Sequence, residues 1–196
     1  MTTVDPLLGL PTGQLLNEIA SEKPAPGAGS VTALVVAMAA GLVAMAARLS
    51  RDEWPAAASV VERAEDIRGR VAPLAAADAA AFEDVLIAMR LPRHLEEEVR
   101  EAAIDNALVR AAEVPLQIAR DAVEIAELGA LVAERGNQRV RGEAVSASLL
   151  AASAGRAAAN LVTINRGADQ GDERIGQARA LVASAETAAE RAVAAR

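Results

Sequence analysis

Pro24-Ala25-Pro26-Gly27-Ala28-Gly29-Ser30 runs straight into Val31-Thr32-Ala33-Leu34-Val35-Val36-Ala37-Met38-Ala39-Ala40-Gly41-Leu42-Val43-Ala44-Met45-Ala46-Ala47-Arg48-Leu49, and nothing from Ser30 to Ala47 is charged. Two prolines restrict the loop, and its two glycines allow positive φ or close approach by another group. Ser30 is placed to cap the helix, its hydroxyl accepting from a free amide one turn in. A helix start of this kind leaves unpaired N–H groups and a positive dipole end facing the loop, which suits an anion.

Three readings of this stretch stand side by side. It approaches the ~20 apolar residues of a membrane span, although Ala and Gly insert weakly and no second span stands out. Equally, it is a buried helix of a bundle with a plain capping loop, or the loop is a wall of a ligand site. Ala33, Ala37 and Gly41 recur every fourth position and give the helix one smooth seam for close packing.

The remaining composition fits packed helices. Residues 1–196 are read as one domain, an all-α bundle of about six antiparallel helices, two of them long and proline-kinked. Aromatics make up 1% of the chain, Trp54 and Phe82 alone, whereas strands favour β-branched and aromatic residues. Zero cysteines exclude disulfides, thiolate metal sites and thiol catalysis. A net charge of −7 without a basic patch argues against a nucleic-acid partner, and no membrane partner is expected. The N-terminus has neither a basic n-region nor an apolar h-region, so a cytoplasmic location is expected.

Along the chain, residues 1–11 read as a surface arm. Thr12 opens a short helix with Leu15, Leu16 and Ile19 on its buried side. Trp54-Pro55 opens a long helix whose apolar stripe runs from Val60 through Ile67, Leu74 and Phe82 to Met89, so Pro73 is expected to kink it rather than end it. A second long helix covers Glu96–Arg135, with Pro115 inside it, and Gly136-Asn137 stops it. Another runs from Arg141 to Asn165, and Asp172 caps a last helix to Arg196.

Asp78 is the most informative single residue. It sits on the apolar stripe, one turn from both Leu74 and Phe82, and a carboxylate facing a core must be paired or protonated. An ion pair with an arginine on a facing helix is one reading; a proton-transferring or ligand-binding carboxylate is the other. Glu143, Ser146, Leu150, Ser153, Ala157, Asn160 and Ile164 fall along one side of their helix, either bonding between helices or lining a polar pocket. His94 reads as a solvated loop residue, and no metal site is expected.

Taken in order, these motifs resemble the cyclodeaminase/cyclohydrolase family. Pro24-Ala25-Pro26-Gly27-Ala28-Gly29-Ser30-Val31 is similar to its Pro-x-Pro-Gly-Gly-Gly-Ser-Val start, with Ala28 replacing the middle glycine. Asp78-Ala79-Ala80-Ala81-Phe82 looks like its Asp-Ala-x-Ala-Phe signature, and Leu91-Pro92-Arg93 stands for its Leu-Pro-Lys. Val114-Pro115-Leu116, Gly136-Asn137 and Asn160-Leu161-Val162-Thr163-Ile164-Asn165 match further elements. Glu143 stands where the family has Asp, and the family's Lys-rich stretch ending in Tyr is absent.

The resemblance implies an all-α, cytoplasmic, usually dimeric enzyme acting on the formimino or methenyl carbon of tetrahydrofolate. A member that has lost this chemistry and binds another small ligand is the alternative. Asp78 and Glu143 would be catalytic. Pro26, Gly27, Gly29 and Ser30 of the loop would bind substrate, with Asn137, Asn160 and Asn165, while Arg48 or Arg93 would pair with its glutamate tail. The folate is expected as substrate, with no tightly bound cofactor.

Overall fold

The computed structural model describes residues 7–167, 169 and 171–195. Seven α-helices follow in order among them: α1 (Thr12–Ile19), α2 (Ala28–Arg48), α3 (Ala57–Val71), α4 (Leu74–Met89), α5 (Glu97–Arg135), α6 (Arg141–Arg166) and α7 (Glu173–Ala194). A 3₁₀ turn, Gln138–Val140, joins α5 to α6. No strand is present among the described residues, as expected for this composition. The first six residues of the expected arm, and Arg196 at the end of the last helix, lie outside the described residues.

The long helix expected from Trp54 to Met89 is two helices. Pro73 has no N–H to offer the carbonyl four residues back, so α3 ends at Val71 and α4 begins at Leu74. The backbone at Ala72 and Pro73 stays right-handed (φ −57°, ψ −43° and φ −65°, ψ −17°), so the buried face passes from Ile67 and Val71 to Ala75 and Val85, whereas Phe82 and Met89 of the expected stripe are exposed. Pro115, by contrast, lies inside α5, which runs unbroken for 39 residues.

The 39-residue α5 is the central member, packing against α6 and α7 on one side and α2, α3 and α4 on the other. The core between them is mostly alanine, with Val36, Val43, Ile67, Ile118, Ile125 and Val132 as its larger members. Small side chains let helix backbones approach closely, and α5 and α6 use glycine to go further. A Cβ on Gly129 would meet the Ala144 carbonyl at 3.0 Å, and one on Gly155 would meet the Ala122 Cβ at 2.9 Å. The Ser148 hydroxyl donates across this contact to the Ala126 carbonyl at 2.8 Å.

At the far end of α6, buried Arg166 donates to Asp105 of α5 and to Asp172, both at 2.7 Å. Asp172 in turn accepts from the Arg174 amide at 2.9 Å and caps α7, as its position in the sequence predicts. The α2 segment and Gln138–Arg166 are both long and apolar enough to cross a membrane, so a second such stretch exists after all. Within the bundle, 61% and 50% of those windows are buried against other helices, as core helices require.

Close approach of α5 to α6 makes a direct prediction. Gly129→Val should wedge the two helices apart and destabilise the protein by about 3 kcal/mol, the upper range for core overpacking. Urea unfolding followed by circular dichroism reads this, and an unchanged midpoint would contradict the packing described.

Candidate functional site

The start of α2 differs from the sequence expectation in an instructive way. The helix begins at Ala28 with Gly27 before it, so Ser30 is the third helical residue and not the cap. The Asp78 carboxyl of α4 lies instead directly against this first turn, where the Ser30 backbone lowers its pKa against the rise that burial causes. The positive end of α2 therefore already faces an acidic group, and that group belongs to the protein.

This seating depends on Gly29. A Cβ there would lie 1.9 Å from Asp78 Oδ1 and 2.2 Å from its Cγ, so only glycine admits the carboxylate. Ser30 is fully buried beneath it and donates its hydroxyl to the Ala75 carbonyl at 2.7 Å. With its single proton so used, the same hydroxyl makes at best a weak contact with Asp78 Oδ2 at 3.4 Å. Ala28 has a helical, negative φ, since no residue other than glycine takes positive φ among those described, so a methyl is tolerated there. The Ala25–Pro26 peptide is cis, and Pro26 is buried behind the loop.

Asp78 lies at one end of a cleft of about 200 Å³, bounded by the Pro24–Gly29 loop, Phe82, Ala111, Leu161, Ile164 and Asn165. Burial pushes its carboxyl above the ordinary carboxylate value, and the Ser30 backbone and hydroxyl offset only part of that rise. The lining is otherwise apolar. Asn165 supplies the one other polar side chain, and its Nδ2 donates to the Ala111 carbonyl at 2.9 Å.

Of the residues expected to form one site, the structure brings Pro26, Gly27, Gly29, Ser30, Asp78 and Asn165 together, with Pro26 and Ser30 buried behind the lining. It leaves the others elsewhere. Arg48 closes the opposite end of α2, 18 residues or about 27 Å beyond Ser30, where it pairs with Glu65 at 2.5 Å. Asn137 lies away from this cleft, where it caps the 3₁₀ turn by accepting from the Arg139 amide and donates to the Leu49 carbonyl. Glu143 sits in the first turn of α6, about 33 Å along the axis from Asn165, and does not join Asp78. Arg93 is exposed in the turn beyond α4, and Asn160 is exposed beside Arg179 on the α7 side. Long straight helices explain the scatter: residues close in motif order lie at opposite ends of a rod.

The polar side of α6 likewise lies on the outer surface, and of that stripe only Ile164 reaches the cleft. Sequence reading missed Leu161 and Ala111 as lining residues, because nothing distinguishes them from core alanines and leucines. A larger groove of about 500 Å³ separates α6 from α7, but its charged members, Arg156, Glu186 and Glu190, are exposed, the first two paired with each other. Asp121, more deeply buried than Asp78, is held by Arg70 at 2.7 Å and lines neither the Asp78 cleft nor this groove. The acid–base candidate is Asp78.

A helical bundle that seats a half-buried carboxyl with a raised pKa against a helix N-terminus, beside a small apolar cleft, presents a candidate site for proton transfer on a compact ligand. The sequence model of the formiminotransferase-cyclodeaminase family matches residues 11–184, and the chain belongs to that family. A methenyltetrahydrofolate cyclohydrolase of Methylorubrum extorquens is 35% identical over 182 residues, covering 87% of this chain and 88% of that protein. The formimidoyltransferase-cyclodeaminase of Sus scrofa is 35% identical over 121 residues, 58% of this chain but 22% of that much longer protein. Among solved structures, the formiminotetrahydrofolate cyclodeaminase of Thermotoga maritima superposes with a TM-score of 0.85 at 26% identity, covering 95% of both chains.

The raised pKa of Asp78 carries a stability consequence. A carboxyl raised above its unfolded value of 3.8 contributes most when protonated, and that contribution is lost as pH rises through the folded value. At pH 7 the neutral isostere in Asp78→Asn should therefore leave thermal stability equal or higher. Ser30→Ala should raise the Asp78 pKa further, read by ¹³C titration of its carboxyl. A drop in that pKa would refute the hydrogen-bond assignment.

Proposed function

We propose that the protein is a folate one-carbon enzyme acting on the carbon held between N5 and N10 of tetrahydrofolate. Its best-supported reaction is hydrolysis of the 5,10-methenyl compound to the 10-formyl compound. The observation that carries this reading is the Asp78 carboxyl, half-buried in the wall of an apolar cleft against the first turn of α2, with its pKa raised by that burial. The methenyltetrahydrofolate cyclohydrolase relative, matched over nearly its whole length, supports the direction.

The chemistry follows from one carboxylate. Ionised Asp78 takes a proton from water as its oxygen attacks the methenyl carbon, giving a tetrahedral carbon between two nitrogens. The same proton then passes to N5 as the carbon–N5 bond breaks, and the remaining hydroxyl proton leaves as the formyl group forms. A raised pKa suits both halves of this cycle, because the group must accept and return a proton near neutrality. The apolar walls, including Phe82 and Leu161, restrict water to the one position that reacts.

A second reading is favoured by the cyclodeaminase structure of the same fold. In it N10 attacks the formimino carbon, Asp78 takes the N10 proton and delivers it to the departing amine, and ammonia leaves. Asp78 performs the same transfer in both. The folate is substrate in either case, and the reading assigns no tightly bound cofactor, no metal and a cytoplasmic location.

We also propose that the enzyme works as a homodimer. Support comes from the outward face of α2, where Met38 is 62% exposed, Met45 38% and Leu49 56% on a helix with no charge before Arg48. Such a stripe is unusual on a monomer's surface and matches itself in a second copy.

Mixing the protein with 5,10-methenyltetrahydrofolate, and separately with the 5-formimino compound, and following absorbance tests the activity. Asp78→Asn should lower kcat by about 10²- to 10⁴-fold, the usual contribution of a positioned acid–base group. The wild-type rate should fall as pH drops through the Asp78 pKa, above 3.8, since the base must be ionised. No turnover of either compound above buffer would end the proposal. For the dimer, Met38→Glu combined with Met45→Glu should yield monomers in sedimentation velocity; a monomeric wild type at micromolar concentration contradicts it.

A further inference from the structure

Two proline-dependent facts meet at Ala111. In an unbroken helix its carbonyl would accept from the N–H of residue 115, four positions on. That residue is Pro115, fully buried inside α5, and proline has no N–H. The carbonyl so released accepts from Asn165 Nδ2 of α6 at 2.9 Å, and both Ala111 and Asn165 line the Asp78 cleft.

This pairing also fixes which way the Asn165 amide points. A carbonyl oxygen only accepts, so the group facing Ala111 must be the NH₂, and Oδ1 is turned to the other side. No group among the described residues donates to that oxygen. The cleft therefore presents two polar features on an apolar wall, the Asp78 carboxylate and an oriented amide acceptor.

We infer that Pro115 is a positioning residue for substrate recognition: by withholding one helical N–H it frees the Ala111 carbonyl, which locks Asn165 with Oδ1 as an acceptor for an N–H donor of the ligand. The inference rests on the folate reading for the identity of that donor, an N–H of the pterin ring system. It specifies what Asn165 does, and it gives a proline in the middle of the longest helix a role in binding. Inside a helix a proline is destabilising relative to alanine, and here the carbonyl it strands is taken up by Asn165.

The test restores the missing N–H. In Pro115→Ala, and in Pro115→Val, which keeps the buried volume, the Ala111 carbonyl regains a helical donor and Asn165 is released. Both variants should raise KM for 5,10-methenyltetrahydrofolate about tenfold with kcat nearly unchanged, while the urea midpoint stays equal or rises. Asn165→Ala should raise KM to a similar extent, and the double variant Pro115→Ala/Asn165→Ala should be no worse than either single one. Unchanged KM, additive effects, or a KM rise that tracks lost stability in both proline variants would overturn the inference. Should the wild type turn over no folate, the Asn165 side-chain amide still decides the geometry by NMR. Its protons should exchange slowly in the wild type and rapidly in Pro115→Ala; equal exchange rates would refute the lock.

Discussion

The contact of the Asp78 carboxylate with the Gly29 backbone is the constraint on which the rest of the site depends. It joins the middle of the α4 stripe to the first turn of α2, two elements brought together only by the tertiary fold. Burial pushes the carboxyl up, and the Ser30 backbone and the α2 dipole pull the other way without restoring solvent. The balance leaves a carboxyl raised above its ordinary value, the property that the proposed proton transfer uses. Moving the carboxylate by one methyl radius would lose both the contact with the first turn of α2 and the position in the cleft wall.

An alanine-rich core makes that contact possible. Large side chains would hold helix axes farther apart, whereas the Gly129 and Gly155 contacts bring α5 and α6 together at near-backbone distance. With α6 drawn in, Asn165 reaches the carbonyl of Ala111 and the α6 end closes the cleft opposite Asp78. Buried Arg166, one residue further on, fixes this end of α6 to α5 and to the start of α7 through Asp105 and Asp172. Packing and site geometry are thus one problem: the same small residues that fill the interior set the width of the cleft.

Several features were legible without a structure, and for definite reasons. Three-and-four spacing, the scarcity of aromatics and the Gly136-Asn137 stop mark helices because periodicity and capping are local. Asp78 stood out because a carboxylate on an apolar stripe must be paired or have its pKa raised, and the structure gives it no arginine partner and a raised pKa. Ser30 was recognised but given the wrong task, since the group set against the start of α2 comes from 48 residues further along the chain. Pro73 and Pro115 look alike in sequence, yet one separates two helices and the other sits inside a continuous one. What decides between them is the packing on either side, and for Pro115 an outside donor to the carbonyl it strands.

The sequence by itself determined the helices, the fold class and the one carboxylate set on an apolar stripe, because each rests on short-range periodicity or on the cost of burying charge. Only the tertiary structure decided which motif residues share a site. Arg48, Asn137 and Glu143 carry the right chemistry and the right order, but rods some 30 Å long put them at the end of the bundle remote from Asp78. Adjacency across helices is a property of how they pack, and in this chain a glycine without a side chain and a proline without an N–H set it.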